Sequence, residues 1–323
     1  MSAAEFAAAK IAGGVSRPRS RRGGRLTASL FTASVYGSCF LFLAIIAGLF
    51  FELAWGSRLS IGTFGLPFLW STAWDPVRGR FGALPFIYGT VVTSGIALLL
   101  AAGVGILAGI YLAEFAPRRL SYVLSLLIEL LAAVPSVVYG LWGLFVLAPL
   151  VTSWIGPTLQ GLFGFLPIFQ GTIYGVNMLT ASLILALMIV PTITAITRDL
   201  VVAVPRRMSE AGLSLGSTRW EAVYRVVVPI VRPGIFGACM LALGRALGET
   251  IATTMVIGNR PAISTSLFAP GYTIAAAIAN EFTEATTNLY ISALIELGLI
   301  LFVVSVIING AGRLMLLLLL RRT

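Results

Sequence analysis

The sequence predicts an all-α, polytopic membrane protein with six transmembrane helices. Of its 323 residues, 58% are hydrophobic and only 11% are charged, whereas a soluble domain carries about 25% charged residues. The apolar runs are long enough to cross a hydrocarbon layer of about 30 Å, and the basic residues cluster at the ends of these runs. The net charge of +10 therefore indicates membrane topology and contact with lipid, and it does not imply binding of nucleic acid.

The apolar runs place the spans in order along the chain. The predicted spans cover residues 30–53, 85–115, 121–151, 179–202, 233–257 and 288–318. External segments are expected at 54–84, 152–179 and 258–285, and the carboxylates of Glu281 and Glu284 in the third are expected to face solvent. The run at 30–53 is too long for a cleaved signal peptide, so the Arg-rich residues 1–27 are expected to form a cytoplasmic tail.

The basic residues predict how the spans are oriented. Seventeen of the 22 Lys and Arg residues fall in the tail, in the turn before the third span, in the stretch 198–232 and at the C-terminus from Arg313 onward. Four fall in the external segments, and the remaining one is Arg245. Because cytoplasmic loops carry the excess of Lys and Arg, we expect both termini and the stretch 198–232 to be cytoplasmic.

A polar stretch from Ser209 to Pro229, SEAGLSLGSTRWEAVYRVVVP, interrupts the apolar second half of the chain. Gly216 is predicted to end a short helix, because glycine accepts left-handed backbone angles. Thr218 and Glu221 have the spacing of a capping box that begins a second helix, and this helix is expected to stop at Pro229. The stretch is either a surface hairpin between two spans or a docking element.

The spacing within this stretch resembles the cytoplasmic EAA loop of ABC importer permeases, EAA-x3-G-x9-I-x-L-P. The chain departs from that pattern by a glycine for the second alanine and by two valines for Ile and Leu. The matching residues are Glu210, Ala211, Gly212, Gly216 and Pro229. The resemblance implies the type I, MetI-like permease fold, with a coupling loop near 204–229 that docks on a separate ATPase subunit.

An arginine interrupts the predicted fifth span. Arg245 lies in the sequence GRALGET, which runs from Gly244 to Thr250. An intramembrane arginine costs at least ~2.5 kcal/mol on insertion scales, so it usually faces a partner or a wet cavity. Glu249 follows four residues later, on the same face of a continuous helix. Two interpretations stay open: a self-neutralising pair that holds the bundle together, and an anion-handling charge that the carboxylate tunes.

Two more carboxylates lie within the predicted spans. Glu129 precedes Pro135 by about one turn, and it is expected to pair with Arg118 or Arg119 or to line a pathway. Because Pro135 frees backbone groups that need polar neighbours, a structural or gating role is favoured for Glu129. Glu296 in the sixth span is open to the same two interpretations.

Two further motifs join GRALGET in narrowing the resemblance. VPSVVYG at 134–140 and SLFAPGYT at 266–273, like GRALGET, resemble the PstC family of phosphate transport permeases, over residues 28–320. The resemblance implies that Arg245 and Glu249 lie on the phosphate pathway. It also implies three partners: a second, PstA-like permease, a PstB-like ATPase dimer that holds ATP and Mg, and a periplasmic, PstS-like phosphate-binding protein.

The residues that the sequence lacks argue against other classes of protein. Lys10 is the one lysine and no G-x4-G-K-[ST] motif occurs, so the chain is not expected to bind ATP or another cofactor. The sequence contains no histidine and no nucleophile–base pair, which disfavours a metal site and an enzyme. The alternatives are a permease for another oxyanion and a stand-alone channel or secondary carrier for an anion. A carrier, however, has no reason to expose a docking hairpin.

Overall fold

The computed structural model describes residues 22–320 of the chain, with side chains from residue 30 to residue 317. Most of the predicted Arg-rich tail, residues 1–27, therefore lies outside the described residues. Contacts divide the chain into two units, Met1–Glu52 and Leu53–Thr323. The first unit holds most of α1, Arg22–Gly56, whose apolar part from Leu30 onward is long enough to cross a membrane.

The second unit is built from helices joined by short segments. They are α2 (Arg58–Phe64), α3 (Leu84–Phe115), α4 (Arg118–Ala132), α5 (Ser136–Phe163), α6 (Met178–Val202), α7 (Arg206–Ser214), α8 (Arg219–Leu247), α9 (Ile251–Val256), α10 (Ile274–Glu281) and α11 (Asn288–Leu320). Within the described residues, α1, α3, α5, α6, α8 and α11 are the six helices that are long and apolar enough to cross a membrane. The predicted all-α fold with six spans is therefore confirmed.

Helices α3 and α6 pack against each other along most of their lengths. Gly105 and Gly109 of α3 permit this contact. A Cβ on Gly105 would lie 3.0 Å from the Ile193 side chain, and one on Gly109 would lie 2.8 Å from the Thr194 carbonyl oxygen. Small residues let helix backbones approach closely in a membrane. The pair forms the frame against which α4, α8 and α9 are packed.

The predicted third span, 121–151, is wrong in its bounds. The chain is helical in α4, breaks before Pro135 and resumes as α5. Proline cannot donate to the helical ladder and disfavours the helical conformation of the residue before it. The 15 residues of α4 are about 22 Å long, which is less than the hydrocarbon layer. The segment 152–179, expected as a loop, is helical as far as Phe163.

The predicted fifth span, 233–257, also differs from the structure. Helix α8 runs without interruption through Pro229, so the expected end at this proline is wrong. Residues Val223–Val227 form a π-helical turn, in which the N–H of Val228 donates to the carbonyl five residues earlier. Such local adjustments satisfy the backbone groups that a proline frees within a membrane helix. The helix ends instead at Leu247.

Candidate functional site

Arg245 lies in the last turn of α8, and its side chain is exposed. It lines an open cavity of about 460 Å³, together with Thr192 of α6, Met240, Leu241 and Gly244 of α8, and Asn309 of α11. None of the ion pairs within residues 30–317 includes Arg245. A positively charged side chain therefore lies at a cavity whose lining residues come from three membrane-crossing helices.

Glu249 lies beyond the end of this helix. Gly248 adopts φ −93° and ψ 0° and ends α8, and the Oε1 of Glu249 accepts a hydrogen bond from the N–H of Ala252 at 3.2 Å. Glu249 therefore caps the N-terminus of α9. The prediction that Arg245 and Glu249 share one helical face is wrong, because the glycine breaks the helix between them. The self-neutralising pair loses its geometric basis, and a role on a pathway stays a prediction.

A second helix break lies close to the first. Pro135 immediately precedes α5, and the hydroxyl of Tyr139 donates to a carbonyl of α4 across this break, at 2.7 Å. Gly140 lets α5 approach α9, because a Cβ there would lie 3.2 Å from the Cα of Ala252. Tyr139 is also near enough to Arg245 for an electrostatic interaction. Two broken helices therefore meet beside the arginine, and irregular backbone at membrane depth is tolerated where protein or a wet cavity surrounds it.

The third sequence motif, residues 266–273, packs against the other end of α9. The N–H of Gly271 donates to the carbonyl of Ile257 at 3.0 Å, and the N–H of Leu179 donates to the carbonyl of Leu267 at 2.9 Å. The motif is thereby hydrogen-bonded to the start of α6 and to the segment after α9. The three motifs, which lie far apart in the sequence, converge around α9.

We expected Glu129 either to pair with Arg118 or Arg119 or to line a pathway. In the structure it pairs with neither of these arginines. Its Oε1 lies 4.0 Å from the Nη1 of Arg198 on α6, and its side chain is 64% exposed. Glu129 follows Arg119 by ten residues of helix, so it lies about 15 Å along α4 from the two arginines at the start of that helix. The carboxylate of Asp199 lies 3.7 Å from the same guanidinium. Exposed pairs of this kind contribute about 0–1 kcal/mol.

Glu296 lies apart from the cavity at Arg245. It is on α11 and only 6% exposed. Its Oε2 and the Oγ of Ser60 on α2 are buried and lack hydrogen-bond partners within the part of the chain that the structure describes. Neither residue lines the cavity at Arg245. The structure therefore places Glu296 with α2, and it does not bring it to the two helix breaks.

Residues 206–227, which comprise α7, the turn after it and the first turns of α8, form a hairpin. Gly216 in the turn has φ +86°. The Thr218 side chain accepts from the N–H of Glu221, whose carboxylate accepts from the N–H of Thr218. The predicted turn and capping box are therefore confirmed. Gly212 faces α8, where a Cβ would lie 3.2 Å from a methyl group, so a small residue at this position serves packing.

The hairpin exposes apolar side chains. Helix α7 contains no buried residue, and the side chains of Glu210 and Ala211 are exposed. Leu215 is 90% exposed. The other exposed large apolar residues are Met208, Leu213, Trp220 and Tyr224. Exposed apolar patches mark contacts with proteins or membranes, and the docking role of the hairpin stays a prediction.

A carboxylate that the sequence led us to expect in solvent is held in an aromatic cluster. The Oε2 of Glu281 accepts hydrogen bonds from the Nε1–H of Trp74 at 2.7 Å and the hydroxyl of Tyr290 at 2.6 Å. We call this carboxylate and the rings that pack around it, Trp74, Phe81, Phe86, Tyr272 and Tyr290, the aromatic cap. The expected solvated position of Glu281 is therefore wrong, whereas Glu284 is exposed. The feature of the sequence that could have indicated this cluster is the high density of aromatic residues between positions 64 and 88.

Comparison with known proteins identifies the family. The profile of a family described as "Binding-protein-dependent transport system inner membrane component" matches residues 105–316. The chain belongs to this family. The match begins within α3 and includes the hairpin, Arg245 and α9. Binding-protein-dependent transport systems of the ABC importer class use an ATPase and a periplasmic binding protein on other chains, and the chain is a multi-pass, non-enzymatic subunit of a bacterial inner membrane.

Curated relatives of this permease match nearly its full length. The phosphate transport system permease protein PstC of Mesorhizobium japonicum is 49% identical over 90% of both chains. The protein of the same name from Haemophilus influenzae is 45% identical over 89% of this chain and 92% of its own. A probable phosphate transport system permease protein PstC from Methanocaldococcus jannaschii is 36% identical over 84% of this chain and 87% of its own.

Solved structures of ABC importers share the fold of the permease. A chain of a bacterial alginate ABC transporter aligns with a TM-score of 0.54 and 16% identity, covering 90% of this chain and 93% of that chain. A chain of the MetNI methionine ABC transporter, in an inward-facing conformation, aligns with a TM-score of 0.53 and 14% identity, covering 72% and 94%. The MetI-like permease fold is thus confirmed.

Proposed function

We propose that this chain is the membrane permease subunit of an ATP-driven importer that moves inorganic phosphate across the inner membrane by alternating access. The observation that carries the proposal is Arg245, a cation without an ion-pair partner in the described residues, on a cavity lined by α6, α8 and α11. Intramembrane ionisable residues in such positions are functional by default. Relatives named as phosphate permeases, up to 49% identical, support phosphate as the solute.

Arg245 and Glu249 have different roles in this proposal. Arg245 supplies positive charge to an anion that leaves water for the space between the spans. Glu249 caps α9 through Ala252, so it holds the shape of the helix break, and its charge weakens the field that the anion meets. An arginine without a nearby carboxylate would hold the anion more tightly and release it more slowly.

The hairpin is proposed to couple the spans to the ATPase. Glu210, Ala211 and Gly212 of α7 and Gly216 of the turn form the docking element, and Pro229 lies where the hairpin continues into the membrane as α8. The proposed partners are a PstA-like second permease, a PstB-like ATPase dimer that binds ATP and Mg, and a PstS-like phosphate-binding protein. Both Glu210→Lys, which reverses an exposed charge, and Gly216→Pro, which is incompatible with a φ of +86°, should uncouple ATP hydrolysis from uptake in reconstituted vesicles.

The proposed topology puts the hairpin and both termini in the cytoplasm, with residues 28–320 as the permease domain. The measurement is labelling of single cysteines in sealed cells, in a chain whose Cys39 and Cys239 have been replaced. An impermeant reagent should reach a cysteine at Ser264 and should not reach one at Ser214. Labelling at Ser214 and not at Ser264 would show that the orientation in the membrane is the reverse of the proposed one.

A double-mutant cycle tests the pathway charge. Arg245→Gln, Glu249→Gln and the double variant are assembled with their partners and assayed for phosphate uptake, with Arg313→Gln on α11 as the matched control. Arg245→Gln and the double variant should both lose uptake. Glu249→Gln, which keeps an oxygen to cap α9, should bind phosphate and transport it slowly.

Three other outcomes would contradict the proposal. Substantial uptake by an assembled double variant would make Arg245 a structural charge. Uptake of sulfate in preference to phosphate would make the chain a permease for another oxyanion. Uptake without the ATPase would make it a channel or secondary carrier.

A further inference from the structure

A contact between the hairpin and the end of α3 is defined by Arg219 and Trp220. The capping box at Thr218 fixes the start of α8, so Arg219 is the first residue of that helix. Its guanidinium donates to the main-chain carbonyl of Glu114 and lies over the ring of Phe115, 5.4 Å from the ring centroid. The ring of Trp220 lies 5.8 Å from the same phenylalanine ring.

The carbonyl that Arg219 binds is one that the helix itself leaves free. Glu114 lies in the last turn of α3, a π-helical turn in which the N–H of Ala116 donates to the carbonyl of Tyr111 at 2.9 Å. The final carbonyls of a helix have no partner within it. A cation there is also stabilised by the helix dipole. Arg219 therefore caps the C-terminus of α3 from another helix.

A cavity separates α7, the first helix of the hairpin, from α3. About 340 Å³ of space lies between α7 and the ends of α3 and α6, and its lining includes Glu114, Arg206, Glu210 and Arg219. Further along α8, Val223 and Val227 pack with Ile110 of α3 in an apolar cluster. Apolar contacts of this kind are non-directional and allow helices to slide. The hydrogen bond to a main-chain carbonyl is directional and opposes sliding.

We propose that Arg219 is a positioning residue that ties α3 to the hairpin, so that a movement imposed on the hairpin displaces α3 together with α8. This inference rests on the proposed coupling of the hairpin to an ATPase. It adds a second span to the elements that the hairpin drives. Without Arg219, α8 would follow the hairpin while α3 would lag behind.

The experiment measures the displacement of α3 directly. Spin labels at Leu107 of α3 and Ile307 of α11, both exposed in the chain, report their distance in the assembled complex with and without a non-hydrolysable ATP analogue. Cys39 and Cys239 are replaced beforehand. The native arginine should give a nucleotide-dependent change of distance, and Arg219→Ala should largely lose it. Phosphate moved per ATP hydrolysed should fall about tenfold, which is the factor that a hydrogen bond from a charged donor is worth.

Three further variants make the test specific. Arg219→Met keeps an apolar stem over Phe115 and removes the donors, so it should behave as Arg219→Ala does. Arg219→Lys keeps a cationic donor without the planar fork, so it should restore part of the displacement and of the coupling. Arg232→Ala removes an exposed arginine from the same helix outside the hairpin and should leave both unchanged.

Two results would overturn the inference. One is native displacement of α3 and native coupling in Arg219→Ala or Arg219→Met. The other is failure of both variants to assemble while Arg232→Ala assembles, because Arg219 would then hold the fold and not transmit movement. The displacement is measured without any transported solute. A complex that moves α3 but takes up no phosphate would therefore refute the proposed function and leave this inference standing.

Discussion

The aromatic cap and the hairpin each lie at the ends of long helices, and a polar network holds each of them in shape. In the cap, the carboxylate of Glu281 accepts two hydrogen bonds among rings, and the neighbouring Phe68 and Phe86 are fully buried. In the hairpin, the capping box at Thr218 is exposed, and Leu215 is 90% exposed. The polar groups of the cap find partners within the chain, whereas the hairpin leaves an apolar face exposed.

This difference has a consequence for how the two regions respond to mutation. A fully buried aromatic side chain contributes about 1.5–3 kcal/mol to folding, and each hydrogen bond to a charged group adds about 1.5–3 kcal/mol. A helix cap contributes about 1 kcal/mol, and exposed apolar groups contribute almost nothing until they are covered. Changes in the cap should therefore lower stability, and changes in the hairpin should lower binding of a partner.

A pair of tryptophans gives the largest expected contrast. Trp74→Ala removes a ring that packs 4.6 Å from Phe86 and 5.0 Å from Phe81, together with a donor to Glu281, so the free energy of unfolding should fall by about 3 kcal/mol. Trp220→Ala removes a ring that is 56% exposed, and the fall should stay below about 1 kcal/mol. The measurement is denaturant unfolding in detergent. Equal losses would remove the distinction between the two regions.

Two glutamates of the same segment give the next contrast. Glu281→Gln keeps an oxygen in place of the Oε2 that accepts both hydrogen bonds but removes the charge. Each bond should weaken by about 1 kcal/mol, so the expected loss of stability is about 2 kcal/mol. Glu284→Gln, three residues later and exposed, should change stability by less than about 0.5 kcal/mol. A loss in Glu284→Gln as large as that in Glu281→Gln would show that the hydrogen bonds to Trp74 and Tyr290 are not what stabilises this region.

Alkaline pH should weaken the cap through Tyr272. Burial raises the pKa of the Tyr272 hydroxyl above its ordinary range, so the folded state keeps its proton where the unfolded state loses it. This contribution to stability is complete below the ordinary tyrosine pKa of about 10 and declines by about 1.4 kcal/mol per pH unit above it. Tyr272→Phe should lack this decline. The measurement is the difference in unfolding free energy between the two proteins from pH 9 to pH 11, and parallel curves would contradict it.

Two exposed aliphatic residues give the smallest expected change in stability. Leu215→Ser in the hairpin and Val77→Ser beside the cap, where Val77 is 96% exposed, should each alter unfolding by less than about 0.5 kcal/mol. The two variants should differ in how well the complex binds the ATPase. Leu215→Ser should reduce the amount of ATPase that copurifies with the complex, and Val77→Ser should retain it. Equal retention by both variants would mean that the exposed hairpin face is not the docking surface.

Local patterns explain which features could be predicted from the sequence. Six apolar runs, the turn at Gly216 and the capping box at Thr218 are set by composition and by residues within a few positions of one another. The same holds for the coupling-loop spacing. Signals of this kind do not depend on distant contacts, and the structure agrees with the number of spans, the turn and the capping box, whereas the coupling role of the loop stays a prediction. Arg245 could also be identified from the sequence as a candidate site residue, because a charged residue within an apolar run can be seen without knowledge of the fold.

Whether a helix continued or ended at a proline or a glycine depended on the fold. Pro229 was expected to end a helix, but the helix continues through it after a π-helical turn. Glu249 was expected on the face of Arg245, but Gly248 ends α8 and the carboxylate caps α9. Proline and glycine allow both outcomes, and the packing of the neighbouring helices selects one.

The sequence by itself determined the membrane class, the number of spans, the hairpin and the family resemblance, because hydropathy, charge and motif spacing are properties of the chain alone. The tertiary structure decided the partners of its charged groups. Glu281 binds Trp74, which is 207 positions away in sequence, and Arg219 binds the carbonyl of Glu114, 105 positions away. A hydrogen bond depends on distance and direction in space, and these are fixed only when the helices have packed.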